Sequence, residues 1–261
     1  MQSPKGNPIV ETITPPPTKT GSRRRRWISL LIGLVALAAI AAGTLFWFFG
    51  GEAPAGVDLE ETASAVDDGT ATASPTGIDG TWSVDTTVGD FTVTEDTDAT
   101  FAGFRVEEVL QSIGSSTAVG RTPDVAGTVE IDGTILSSAE IVVDLTSIQS
   151  DEARREGRIQ QALGTDASPT ATFLLTEPIR LGDGAAKGEV VSAVATGELT
   201  INGVTNTVEI PVEARLVDAK ILVTGSTGVT FSDYDITVPS APVVLSVEDR
   251  GILEFQLWLS R

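Results

Sequence analysis

"GELTINGVTNTVEIPVEARL", residues 197–216, contains a turn and the two strands it joins, and each half predicts the other. Asn202-Gly203 is the strongest short-range hairpin signal, because both central residues of a type I′ turn need positive φ. A two-residue turn there pairs Ile201 with Val204, Leu199 with Asn206 and Gly197 with Val208. Downstream, Val208, Ile210, Val212, Ala214 and Leu216 alternate with Thr207, Glu209, Pro211, Glu213 and Arg215, the period of a half-buried strand. The register set by the turn puts Leu199 and Ile201 on the same face as Val208 and Ile210, so turn chemistry and hydrophobic pattern agree.

Followed backward, the inner face of the first strand reads Val191, Ala193, Ala195, Gly197, Leu199, Ile201. Three successive small residues face Val208, Ile210 and Val212. The volume they leave is taken either by large neighbours in a packed core or by a ligand, and spacing does not choose between these.

Other segments repeat the pattern. "VAGTVEIDGTIL" places a second hairpin at Asp132-Gly133, and a parity change after Leu136 predicts a bulge near Ser137-Ser138. "TATFLLTEPI" aligns Ala171, Phe173 and Leu175, and "GILEFQLWLSR" aligns Leu253, Phe255, Leu257 and Leu259 with Trp258 opposite. Eight to ten strands joined mainly by short turns, without alternating helices, predict an all-β antiparallel barrel or sandwich.

Composition removes whole classes of chemistry. The chain of 261 residues has no Cys and no His. Disulfides, His- or Cys-based catalysis and the usual zinc or copper sites are therefore excluded. Net charge is −19, yet residues 1–26 carry +5, which leaves −24 for the remainder. A body so acidic repels phosphate backbones, which argues against nucleic acid. The exported part has two lysines, Lys187 and Lys220, and its acids fall on outer faces or in turns. No catalytic or metal-binding residues are assigned.

The charge break adjoins "WISLLIGLVALAAIAAGTLFWFF", residues 27–49, which are 23 residues without a charge. That length spans a bilayer as one helix, Trp27 and Trp47 suit the two interfaces, and Arg23 to Arg26 place the N-terminus in the cytoplasm. A signal peptide cleaved near Ala53-Pro54-Ala55 is the competing reading, and the length of the run favours an uncleaved anchor. The expected organisation is a basic cytoplasmic tail (1–26), a transmembrane helix (27–49), a disordered acidic linker (50–77) and an extracytoplasmic β-domain (78–261). The linker holds six acids and no base, and as a coil its 28 residues would span about 30 Å.

One stretch stands apart. "SDEARREGRIQQALG", residues 150–164, is helical in pattern, with Ser150 as N-cap and an Asp151–Arg155 pair four residues apart. Ile159, Ala162 and Leu163 share a face. Two readings stand side by side. The helix caps an apolar barrel mouth with Arg154 and Arg155 at the rim and Ile159 and Leu163 beneath, or it is a solvated connector.

Several segments in order resemble the YceI-like proteins: "GTWSVD", "SIQSDEARREGRIQQAL", "SPTATFLLT", "GELTINGVTNTVEIPVEA", "SDYDI" and "LEFQLWL". The resemblance covers Thr81 to Arg261, and "FAGFRVEEVL" and "VGRTPDVAGTVEIDG" look like the membrane-anchored actinobacterial branch. It implies a lipocalin-like barrel of about eight strands that holds an isoprenoid-type lipid, a quinone tail or polyprenol. Two departures stand out. Family members often carry Asp and then His where this helix has Glu156, Gly157 and Arg158, and Asp235 stands where Gly is usual.

On this reading the lipid lining comprises Phe101, Phe104, Phe173, Leu175, Ala193, Ala195, Leu199, Val208, Ile210, Val212 and Phe255. The isoprenoid lipid is the one expected ligand, no cofactor is called for, and pairing of two barrels as a homodimer stays open. The alternative function is a cell-surface β-domain that binds another protein and has a packed, ligand-free core.

Overall fold

The computed structural model describes residues 53–66, 77–94, 97–110, 114–238 and 244–261. The apolar run 27–49 and the basic tail lie outside these residues. Among the described residues, no helix is long and apolar enough to cross a membrane.

Alternating strands joined by tight turns close on themselves. Strands β1 (Gly80–Asp85), β2 (Phe101–Leu110), β3 (Gly114–Thr122), β4 (Val125–Asp132), β5 (Ile135–Asp144) and β6 (Gln149–Ser150) precede a short helix. After it come β7 (Thr170–Leu175), β8 (Ile179–Arg180), β9 (Val191–Ile201), β10 (Val204–Val217), β11 (Lys220–Thr230), β12 (Val244–Val247) and β13 (Arg250–Ser260). Eight of them form an antiparallel barrel in the order β1-β4-β5-β7-β9-β10-β11-β13, closed by β13 against β1. Closure removes the free edges that an open sheet would expose. One edge of β13 serves two strands, pairing β1 from Trp258 to Ser260 and β2 from Ile252 to Gln256. The β2–β3 ribbon therefore prolongs the wall at one end, where β6 joins β3.

The expected register holds at the Asn202-Gly203 hairpin, with Ile201 opposite Val204 and Gly197 opposite Val208. Both turn residues have positive φ, 51° and 75°. In β5 the ladder shifts from Glu130–Ser138 to Ile131–Leu136, so the bulge is at Ser137. The neighbouring turn is centred on Gly133 and Thr134, one residue later than expected, because Asp132 still pairs with Ile135.

Two expectations on helices need correction. Residues 53–66, read as part of a disordered linker, hold helix α1 (Leu59–Val66). Leu59 and Ala63 pack on Val217, Leu222 and Trp258, outside the barrel. The amino-acid composition of the stretch hid an i, i+4 apolar pair that is enough to seat one short helix. Thr62 donates to Gln256 Oε1 at 2.6 Å, and the Ala55 carbonyl accepts from Arg121 at 2.8 Å and from Arg105. Trp258 consequently points outward, as expected, yet is fully buried. Its indole N–H donates to the Asp98 carbonyl at 2.6 Å.

The charged helix α2 (Glu156–Leu163) starts later than Ser150, after a 3₁₀ turn at Ala153–Arg155. Ser150 lies in β6 and donates to the Val119 carbonyl at 3.0 Å, so it fastens a strand and does not cap the helix. Gly164, at φ 64°, ends α2 in a left-handed cap.

Candidate functional site

Inward residues along the barrel wall leave an apolar cavity of about 240 Å³. One water needs only ~10–15 Å³ of such space. Trp82, Ile78 and Ala185 are buried at the end away from α2, where the Trp82 N–H donates to the Ile78 carbonyl at 2.8 Å. Ala193 and Ala195 line the cavity, so their small side chains do leave room. Gly197 behaves differently. A Cβ there would come within 2.5 Å of the Phe173 ring, so a neighbour fills that volume. The same pairing recurs where Phe255 covers Gly225 and Phe104 covers Gly120. Ring placement on glycine thus sets which parts of the interior are solid and which are empty.

Of the expected lining, Phe104, Phe173, Leu175, Ala193, Ala195, Leu199, Ile210, Val212 and Phe255 border the cavity. Val208 points inward but packs within the cluster around Leu199 and Tyr234, beside the cavity and not on it. Phe101 is a correction. It pairs with Gln256 and shares that residue's outward parity, and the Arg121 guanidinium stacks 4.4 Å from its ring. Apolar character alone pointed it inward; the register with β13 turns it out. Sequence reasoning missed the floor formed by Ile221, Leu257 and Leu259, although the alternation in β13 carried that signal.

A second chamber of about 360 Å³ lies under α2, bounded by β2, the Phe231–Tyr234 turn and β13. Phe104, Leu163, Ile201 and Leu253 border both spaces and form the partition between them. Ile159, Ala162 and Leu163 face this chamber, as the shared helix face predicts, and Arg154, Arg155 and Arg158 border it. Arg155 bonds Asp151 at 3.0 Å, the expected pair, and also reaches Glu108 on β2. Burial pushes the Glu108 carboxyl up, against the opposing pull of the Arg155 charge. The turn that leads into α2 is thereby fastened to β2. Gln160 adds a bond to the Thr146 carbonyl at 2.8 Å.

The Phe231–Tyr234 turn is held from three sides. Asn206 donates to the Asp233 carbonyl at 2.8 Å and Asn202 to the Tyr234 carbonyl at 3.3 Å. Ser232 donates its hydroxyl to Asp249 at 2.7 Å. Asp235, where glycine was the expected residue, adopts φ 53°, a conformation Asp tolerates better than most residues. Asn202 therefore both shapes the hairpin and positions Tyr234.

A closed eight-strand antiparallel barrel with an apolar interior cavity is an architecture able to enclose one small apolar ligand. The YceI-like domain model matches residues 77–259, and the chain belongs to that family. Among solved structures, a polyisoprenoid binding domain from Saccharophagus degradans shares 17% identity, with a TM-score of 0.51 over 69% of this chain and 97% of its own. BcnA from Burkholderia cenocepacia shares 19% over 60% of this chain and 95% of its own, at TM-score 0.43. The Campylobacter jejuni YCEI protein shares 17% over 53% of this chain and 82% of its own, also at 0.43. No curated protein matches the chain in sequence.

Proposed function

We propose that this protein is a membrane-tethered, extracytoplasmic lipid carrier that holds an isoprenoid-type chain, of a quinone or polyprenol, inside the barrel. The observation that carries this reading is the empty apolar volume beside Ala193 and Ala195, where a packed core would have placed large side chains. Each Å² of chain buried there contributes about 25 cal/mol, so tight retention needs few polar contacts. The chain threads between the partition residues, and its head end rests in the chamber under α2. Family membership and the polyisoprenoid binding domain among the structural relatives support the choice of ligand. The uncharged run 27–49 after Arg23 to Arg26 supports a single-pass anchor with the N-terminus in the cytoplasm, as in the membrane-anchored branch that the sequence resembles. The protein stores, shields or delivers its ligand and performs no chemistry on it.

Organic extraction of the full chain, purified from membranes in a non-prenyl detergent, followed by mass spectrometry, tests the proposal. A stoichiometric prenylated species is the expected result. A chain that is empty and also refuses added menaquinone and polyprenol would return the argument to a protein-binding surface domain.

A further inference from the structure

Tyr234 is 3% exposed, borders the chamber under α2, and its hydroxyl has no hydrogen-bond partner in the protein. Asn206 lies close enough to oppose the effect of burial on the phenol but makes no well-formed hydrogen bond to the hydroxyl, and one of its amide N–H groups donates instead to the Asp233 carbonyl at 2.8 Å. Buried hydroxyls nearly always find partners, because an unmet one forfeits the hydrogen bonds it would make with water. Phenylalanine would fill the same space at no such cost. The turn that carries Tyr234 is also fixed by Asn202, Asn206 and Ser232, so the ring cannot easily swing out to solvent. The chain has no histidine to supply a neutral ring donor in its place.

We infer that Tyr234 is a specificity-determining residue whose hydroxyl donates to an oxygen at the head end of the bound lipid, so that the chamber under α2 selects oxygen-bearing isoprenoids over isoprenoid hydrocarbons. The inference rests on the lipid-carrier reading above and assigns the class of head group. A quinone carbonyl and a phosphate oxygen offer the same acceptor chemistry. The partition at Phe104, Leu163, Ile201 and Leu253 separates the two tasks. The inner cavity is apolar and discriminates by length and shape, while the chamber beyond it presents the one buried side-chain donor without a partner among the described residues.

The test compares the delipidated full chain with Tyr234→Phe, using three probes: squalene, a prenylated quinone and a polyprenyl phosphate. Tyr234→Phe is expected to weaken the prenylated quinone by about 3- to 10-fold, the size of one neutral hydrogen bond, to weaken the anionic polyprenyl phosphate by about 10-fold or more, and to leave squalene within about 2-fold. Weakening of the quinone alone assigns a carbonyl, of the phosphate alone a phosphate group, and of both a shared acceptor position. Equal effects on all three probes would overturn the inference while leaving the lipid-carrier reading intact. If the native protein binds none of them, both fall together. Stability of the empty protein supplies a second readout, since loss of an unmet hydroxyl should leave Tyr234→Phe at least as stable. A clear drop in stability would mean that the hydroxyl has a structural partner, and would also overturn the inference.

Discussion

Glycine 197 shows how one missing side chain divides the interior. Its inner face is occupied by the Phe173 ring, and the Leu174 carbonyl lies 2.5 Å from where a Cβ would sit. Gly197→Ala must displace both, and overpacking of this kind costs about 1–3 kcal/mol. Urea unfolding should show that loss, with a lower midpoint and an unchanged slope. Asp85 illustrates the polar counterpart. A hydrogen bond from Lys220, then one from Thr87, holds its carboxyl well below the usual carboxylate range. Because the folded state favours the ionised form, the contribution is complete above the ordinary carboxylate value of about 3.9. It is lost as the pH falls through the depressed folded value. Lys220→Met should cost about 1 kcal/mol at neutral pH, discounted because the lysine side chain is 36% exposed. That difference should shrink progressively as unfolding is repeated at lower pH. At this scale the sequence was legible for alternation but blind to orientation at Phe101, since an aromatic residue suits either side of a wall that is covered on both.

Elements bring in contacts that composition does not announce. The stretch around α1 is acidic and rich in small residues, yet Leu59 and Ala63 seat it over Trp258, and Thr62 satisfies Gln256. A chain starting at residue 77 should therefore be less stable by about 2 kcal/mol than one starting at 53, with increased tryptophan exposure measured by fluorescence quenching. The second helix turns its apolar face toward the chamber, and Arg155, just before it, bonds Glu108. Replacing Ile159 and Leu163 together by Asp should accelerate release of bound lipid by at least about tenfold, read as transfer to acceptor vesicles. An unchanged rate would make the helix a solvated connector after all. Its charge run and apolar face were readable in sequence; its start was not, because Ser150 had a better use in pairing β6 with β3.

On the proposed reading, the stability of the whole molecule depends on whether the cavity is filled. A protein with an apolar void gains RT ln(1 + [L]/Kd) on filling it, about 2.7 kcal/mol at a hundredfold excess over Kd. For a domain of this size that corresponds to a rise in Tm of about 5–10 °C. Solvent-stripped protein should melt that much lower than protein as purified, and a prenylated ligand should restore the difference. Calorimetry before and after extraction gives the comparison.

Local rules were sufficient for the barrel itself. Period-two alternation, the Asn202-Gly203 turn and the bulge at Ser137 each act over a few residues, and a closed antiparallel sheet satisfies all of them at once. Relations between residues far apart in the chain had to wait for the tertiary structure. Whether Ala193 faces a ring or a void, what covers Trp258, and which hydroxyl is left without a partner all depend on side chains brought together from distant strands. Alternation specifies the face a side chain takes, whereas packing and hydrogen-bond satisfaction depend on everything else that reaches that face.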